Sequence, residues 1–197
     1  MQEEIKSLEN RKVWDLVDLP DGRTPIKGRW VYAIRPGNCV KARFVTKGFT
    51  QIFGIDYEET FSPVARFETV CLMFALAALH DWEMEALDVK TAFLFGELDE
   101  ELYMVQSEGF MVQGQESKVY RLQKAIYSLK QAALQWNKQL HKSLVVLGFK
   151  RCISDSGIYV KIIGKDIIII IIYIDDALFM DSNGKQVLNH KKKFMKK

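Results

Sequence analysis

The chain has 197 residues, 48% of them hydrophobic and 27% charged, a balance that excludes a disordered chain and suits one good core or two small subdomains. A net charge of +3 permits nucleic-acid binding without requiring it. Cys39, Cys71 and Cys152 are few, far apart and odd in number, which excludes a disulfide framework or a zinc-ligand spacing and points to a reducing compartment.

The polar, acidic start MQEEIKSLEN does not read as a signal peptide, and residues 2–10 read as a short amphipathic helix. Val13–Val17 alternates as a strand, and Pro20, Asp21 and Gly22 mark a turn. Gly28–Ile34 and Val40–Phe49 read as the two strands of a hairpin turned at Pro36, Gly37 and Asn38. It carries Lys27, Arg29, Arg35, Lys41, Arg43 and Lys47. Alternation places Lys41 and Arg43 on one face, with Ala42 and Phe44 on the other. A basic face with Trp30 and Tyr32 nearby suits a polyphosphate or a nucleic-acid strand; the alternative is an ordinary solvated sheet face.

Residues 51–63 are loop-like. Val64–His80 is apolar almost all round in its later turns, which predicts a buried helix. Arg66 in its first turn opposes the helix dipole, so it is either a surface arginine or one that faces an anion such as template or triphosphate. Trp82–Val89 alternates as a strand with Met84, Ala86 and Asp88 on one face. Asp88 ends that strand, where an aspartate is either a helix cap or a ligand. Residues 90–96 and 97–101 read as helix or turn, Leu102–Val105 as a short strand, Ser107–Gln115 as a loop and Val119–Leu122 as a strand. A second long helix is expected over Ala125–Leu147, closed by Gly148. Leu129, Ala132, Ala133, Trp136, Leu140 and Leu144 form its core stripe, with Lys130 and Gln131 pointing elsewhere. Phe149–Val160 leads into a strand, and residues 161–166 turn the chain back.

The stretch Ile167–Met180, IIIIIIYIDDALFM, is the strongest signal. Isoleucine favours strands, and an unbroken apolar run predicts a strand covered on both faces. That run is too short to cross a bilayer and ends in Asp175 and Asp176, so no membrane association is expected. Adjacent carboxylates at the tip of a hairpin are either a solvated turn or a pair aimed at a divalent cation such as Mg²⁺. Asp88 would be a third carboxylate for such an ion. Residues 183–197 read as the start of another helix.

The chain resembles the reverse transcriptase of copia-type LTR retrotransposons. The matching blocks are KARFVTKGFTQ at 41–51, GIDYEETFSPVAR at 54–66, LDVKTAFLFG at 87–96, YSLKQAALQW at 127–136 and YIDD at 173–176, in the family's order. The resemblance implies an α+β right-hand polymerase with an antiparallel palm sheet packed on helices. Fingers are expected at about 1–80 and 98–125, and palm at 81–97 and 126–197. It implies RNA-directed DNA synthesis from dNTP on an RNA template with a DNA primer. Two Mg²⁺ ions, or Mn²⁺ in their place, would be held by Asp88, Asp175, Asp176 and the backbone of Val89. It implies that Phe93 is a steric gate against the 2′-hydroxyl, with core packing as the alternative. Lys41 and Arg43 would contact the triphosphate, with Lys130 and Gln131 behind the nucleotide, and Tyr173 and Arg66 near primer and template.

Ser128, Ala133 and Leu134 stand where the family usually has Gly, Pro and Arg, Ser107 departs from the usual QPEGF, and the basic hairpin is shorter than is typical. The expectation is a fragment lacking thumb and RNase H: either an enzyme domain completed by those missing parts, or an inactive remnant that binds nucleic acid weakly. The setting implied is a cytoplasmic retrotransposon particle or the nucleus.

Overall fold

The structure is a computed structural model and describes residues 1–183 apart from Asn38. The helix expected over 183–197 therefore lies outside the described residues. In chain order the elements are α1 (Gln2–Asn10), β1 (Trp14–Val17), β2 (Gly28–Arg35), β3 (Cys39–Thr46), α2 (Phe67–His80), β4 (Glu83–Asp88), β5 (Glu97–Val105), β6 (Val119–Lys124), α3 (Ala132–Val146), β7 (Lys150–Arg151), β8 (Ile158–Ile163), β9 (Asp166–Tyr173) and β10 (Asp176–Asp181). Short 3₁₀ turns cover Gly48–Thr50 and Ala92–Phe95. Helices and antiparallel strands are mixed, as expected of an α+β chain. Among the described residues two compact units result, one within 1–61 and 93–136, the other within 62–92 and 137–183.

The first unit combines a three-stranded antiparallel sheet, ordered β1-β6-β5, with the β2–β3 hairpin. Ile5 and Leu8, three positions apart on α1, enter a core with Val13, Phe44, Met104 and Leu122. Trp14 stacks on Tyr120 with ring centroids 4.2 Å apart, and Trp30 lies 5.2 Å from Phe44. Gly28 is required where β2 meets this core, since a Cβ there would collide with the Met104 and Phe44 side chains.

Two sequence expectations in this unit are corrected. Residues 97–101 are strand, not helix or turn: Glu97 pairs with Lys124, and the register shifts before Leu102 pairs with Leu122. Partners distant in sequence hold the acidic run extended, Gln135 reaching Asp99 and Arg23 and Arg121 reaching Glu101. The second long helix begins at Ala132 rather than Ala125. Ser128 has φ +71°, which a right-handed helix cannot contain, so Lys130 and Gln131 lie on the turn before α3. The Ser128 carbonyl is also where a Cβ on Gly48 would fall. Ser128→Gly should therefore stabilise the chain by about 0.5–1 kcal/mol, the left-handed penalty less the greater chain entropy of glycine. A urea midpoint below that of the parent would refute this.

The second unit is a five-stranded antiparallel sheet ordered β4-β10-β9-β8-β7. Ile168 to Ile172 on β9 are all buried, so both faces of the isoleucine strand are covered, as the apolar run requires. One face packs Ile158, Ile169, Ile171 and Met180 against Val70, Met73 and Ala77 of α2. On the other, the buried Tyr159 hydroxyl accepts a bond from Arg151 Nε at 2.8 Å and lies 3.2 Å from His141 Nδ1 on α3.

α2 is not the buried helix its composition predicts. Ala77 is buried, but Phe67 is 78% and Leu79 75% exposed, and Leu72 and Phe74 are exposed as well. An apolar pattern with no polar face carries no direction, so it could not say that one side alone would meet the sheet. α2 also starts at Phe67, with Arg66 as its N-cap rather than in its first turn.

Candidate active site

β10 runs antiparallel between β4 and β9, and its first residue decides what meets at that end of the sheet. Asp176 is the Cα partner of Asp88 on β4 and of Tyr173 on β9. Residues directly opposite on antiparallel strands share a face, so Asp88, Asp176 and Tyr173 form one row across three strands. The same alternation puts Ala86, Leu178 and Ile171 in the next row, continuous with the core under α2. Hydrophobic pairing one step along thus sets the register that presents the carboxylates.

Asp175 lies on the two-residue turn Ile174–Asp175 between β9 and β10. Ile174 has φ +56°, an uncommon conformation for a β-branched residue and the one primed hairpin turns require at that position. The turn is tied to β4: the Val89 amide donates to the Asp175 carbonyl at 3.0 Å. The Val89 carbonyl in turn accepts from the Ala92 amide at 3.2 Å. Asp88, Tyr173, Asp175 and Asp176 are all exposed. Among the described residues, no three or more His, Cys, Asp or Glu side chains are arranged to hold a metal ion. The donor set nevertheless fits Mg²⁺. The ion takes carboxylate oxygen, and one or two protein carboxylates suffice when water and substrate phosphate complete its shell.

A cleft of about 560 Å³ opens at this row, lined by Ala65, Phe67 and Val70 together with Asp88, Tyr173 and Asp176. The segment before α2 is placed by backbone bonds to β9: Ala65 donates to the Ile172 carbonyl at 3.0 Å, and Ile172 donates to the Gly157 carbonyl at 2.8 Å. Asp155, which sequence reasoning passed over, anchors the start of α2. Its buried carboxylate accepts the Arg66 amide at 3.0 Å and the Gly157 amide at 2.9 Å. Burial pushes its pKa up, but bonds from the Thr69 hydroxyl and those two amides outweigh it and hold the carboxyl below its ordinary value. The signal was present in Ser154-Asp155-Ser156-Gly157, since an aspartate two residues before a glycine commonly bonds that backbone amide. Arg66 contributes its backbone here, and its side chain is exposed.

The remaining candidates belong to the first unit. Lys41 and Arg43 share a face of β3, as alternation predicted, and the Arg43 guanidinium lies 5.0 Å from the Tyr127 ring centroid. Phe93 is half-buried, packs against the core and meets Tyr127 edge-on at 5.7 Å. Lys130 Nζ donates to the Tyr57 hydroxyl at 3.0 Å, with the ammonium 4.6 Å from that ring. Gln131 is fully buried: its oxygen accepts from Gln51, and its amide nitrogen donates to the Asp56 carbonyl and to Glu100. Those bonds fix the loop at 51–57 against the turn before α3.

Comparison with known proteins bears out the resemblance. The family model described as "Reverse transcriptase (RNA-dependent DNA polymerase)" matches residues 11–197. The chain is 42% identical over 186 residues to the retrovirus-related Pol polyprotein from transposon TNT 1-94 of Nicotiana tabacum, covering 91% of this chain and 14% of the relative. It is 38% identical over 196 residues to the Pol polyprotein from transposon RE2 of Arabidopsis thaliana, covering 96% and 13%. Against that from transposon RE1 of the same plant it is 37% identical over 184 residues, covering 90% and 13%. The chain therefore spans about one seventh of the curated relatives it matches. With a family model spanning nearly its whole length, the chain belongs to the reverse transcriptase (RNA-dependent DNA polymerase) family.

Proposed function

We propose that this chain is an RNA-directed DNA polymerase domain that adds deoxynucleotides to a primer 3′-hydroxyl, with Asp88, Asp175 and Asp176 as its metal-binding carboxylates. The observation that carries the reading is the register: Asp176 opposite Asp88, with Asp175 on a turn bonded to Val89. Reverse transcriptases generally use divalent metal ions. Bound here, two Mg²⁺ would lower the pKa of the primer hydroxyl and offset charge on the triphosphate and leaving pyrophosphate.

The chain's own residues have separate tasks. Asp88 and Asp175 are the main ligands and Asp176 supports them, with the Val89 backbone beside them. The bond from Val89 to Asp175 keeps the turn from drifting off the strand end. Tyr173, in the same row and 55% exposed, offers an aromatic face to the primer end. In the other unit, Arg43 and Lys41 bind phosphate oxygens. A guanidinium resting on Tyr127 suits that role better than a mobile ammonium. Phe93 screens the sugar, Lys130 contacts the nucleotide, and Gln131 positions the turn that carries Lys130. Arg66 lies toward the template. We assign the fingers role to about residues 1–80 and 98–125 and the palm role to about 81–97 and 126–197. RNA template, DNA primer and dNTP are the partners, together with the thumb and RNase H of the same polyprotein.

The test is primer extension on an RNA template with Mg²⁺ and dNTP, comparing this chain with Asp175→Asn. Extension by the parent alone supports the polymerase. Extension by both places the chemistry elsewhere, and extension by neither supports the non-catalytic remnant.

A further inference from the structure

Tyr127 stands where three segments of the first unit meet. Its carbonyl accepts the Thr46 amide and the Thr46 hydroxyl, both at 3.1 Å, which ties its backbone to β3. One residue on, the Ser128 carbonyl lies so close to Gly48 that a Cβ there would collide with it. Two successive residues thus lie against the segment 46–48, and the strand that carries Arg43 sets where Tyr127 sits.

The ring so placed serves two neighbours from distant parts of the chain. The Arg43 guanidinium lies over it, 5.0 Å from its centroid. Phe93, on the 3₁₀ turn Ala92–Phe95, meets it with centroids 5.7 Å apart and planes at 78°. Both contacts use the tyrosine π-system: a cation is drawn to a ring face, and perpendicular rings set a positive edge against a negative face. Arg43, Phe93 and Tyr127 are all half-buried, so Arg43 and Phe93 keep surface for a ligand. A half-buried phenylalanine can escape a clash by changing rotamer unless its neighbours fix it. The core holds Phe93 in part, and Tyr127 is the neighbour that ties it to Arg43.

We propose that Tyr127 is a positioning residue for the choice between deoxy- and ribonucleotides. Its ring fixes Phe93 relative to Arg43, so a nucleotide anchored by its phosphates carries its sugar to a gate that cannot give way. The inference rests on the reading of Arg43 as a phosphate ligand and of Phe93 as the gate against the 2′-hydroxyl. Discrimination by clash needs a fixed anchor and a fixed wall, and a small displacement of either admits the larger sugar. Tyr127 acts through the two residues that rest on it, not on the reacting atoms.

The test is calorimetric binding of dATP and ATP, each with Mg²⁺, to the parent chain, Tyr127→Leu, Tyr127→Phe, Phe93→Ala and Arg43→Ala. The parent should favour dATP, Phe93→Ala should remove that preference, and Arg43→Ala should weaken both nucleotides. Tyr127→Leu keeps an apolar side chain but no ring. It should cut the preference by about fivefold, the worth of a perpendicular ring pair. It should also weaken both nucleotides by about threefold, the worth of a cation–π contact at a partly exposed site. Tyr127→Phe keeps the ring and should retain the preference. A residue that only filled space would move affinity or melting temperature without moving the ratio of the two nucleotides. Should Tyr127→Leu fail to fold, Tyr127→Met fills the space without a ring and takes its place. An unchanged ratio in that variant, with the preference lost in Phe93→Ala, overturns the positioning role and leaves the gate standing. Loss of the preference in Tyr127→Phe overturns it too, since the ring is then not what matters. If the parent shows no preference, or Phe93→Ala keeps it, the gate fails first and the positioning role with it. If the parent binds neither nucleotide, or Arg43→Ala binds as the parent does, the phosphate anchor fails first, with the same consequence.

Discussion

Asp88→Asn is expected to reduce primer extension by about a hundredfold to a thousandfold, the cost of removing one fixed charge-stabilising group from a reacting centre. It should do so while making the metal-free chain more stable. Asp88 and Asp176 are register partners on neighbouring antiparallel strands, and like charges directly opposite destabilise such a pair by roughly 0.2–1 kcal/mol. Asparagine keeps the shape and removes the repulsion. In EDTA the variant should therefore melt up to about 3 °C higher, since 1 kcal/mol shifts a chain of this size by about 2–4 °C. Mg²⁺ should reverse the order. An ion that binds only the folded form raises the parent's melting temperature by mass action, and the variant should gain much less. The paired melts separate a metal site from a solvated turn without any measurement of turnover. If Mg²⁺ lifts both chains equally, or neither, the carboxylate row does not hold the ion.

What the sequence carried and what it withheld divide along physical lines. The isoleucine strand follows from its unbroken apolar run, and the face shared by Met84, Ala86 and Asp88 from period-two alternation; the structure has both. The hairpin expected with Asp175 and Asp176 at its tip turns instead at Ile174–Asp175, with Asp176 already on β10. The pairing of Asp88 with Asp176 is not local; no spacing encodes it, and only the resemblance pointed there. Three failures have three causes. α2 is apolar on every side, so its pattern could not choose between burial and one-sided packing. The start of α3 was masked because a good helix-forming sequence, Ala125 onward, is interrupted by a single left-handed residue, Ser128. The strand at 97–101 is made by partners from β6, Arg23 and Gln135, and its own acidic composition argues against it. Asp155 differs again: its bond to the Gly157 amide had a local signal, but its bond to the Arg66 amide joins residues far apart in sequence, and no spacing encodes it.

Gly157→Ala should be among the most damaging single changes in the second unit, lowering stability by about 3 kcal/mol, the upper end for overpacking. A Cβ at this position would collide with the backbone nitrogen and Cα of Ala65 and with the carbonyl carbon of Val64. Nothing flexible is available to move aside, so either main-chain segment must shift. Both segments are bonded through Ile172, whose carbonyl accepts from Ala65 and whose amide donates to Gly157. A shift large enough to admit a methyl group strains both bonds, along with the Asp155 contacts that hold the start of α2. Tyr173 follows Ile172 directly, and Ala65 and Phe67 line the cleft beside the carboxylates. The damage should therefore reach the candidate site and not the stability alone. Gly164→Ala is the contrasting change: its φ is +63°, but no atom lies within 4 Å of the added methyl, so it carries only the left-handed penalty less glycine's greater chain entropy, about 0.5–1 kcal/mol. Thermal melts of the two variants should differ in that order, with Gly157→Ala lower by several degrees. If Gly157→Ala melts within a degree of the parent, the chain leading into α2 can slide along β9, and the cleft is not held in register by these bonds.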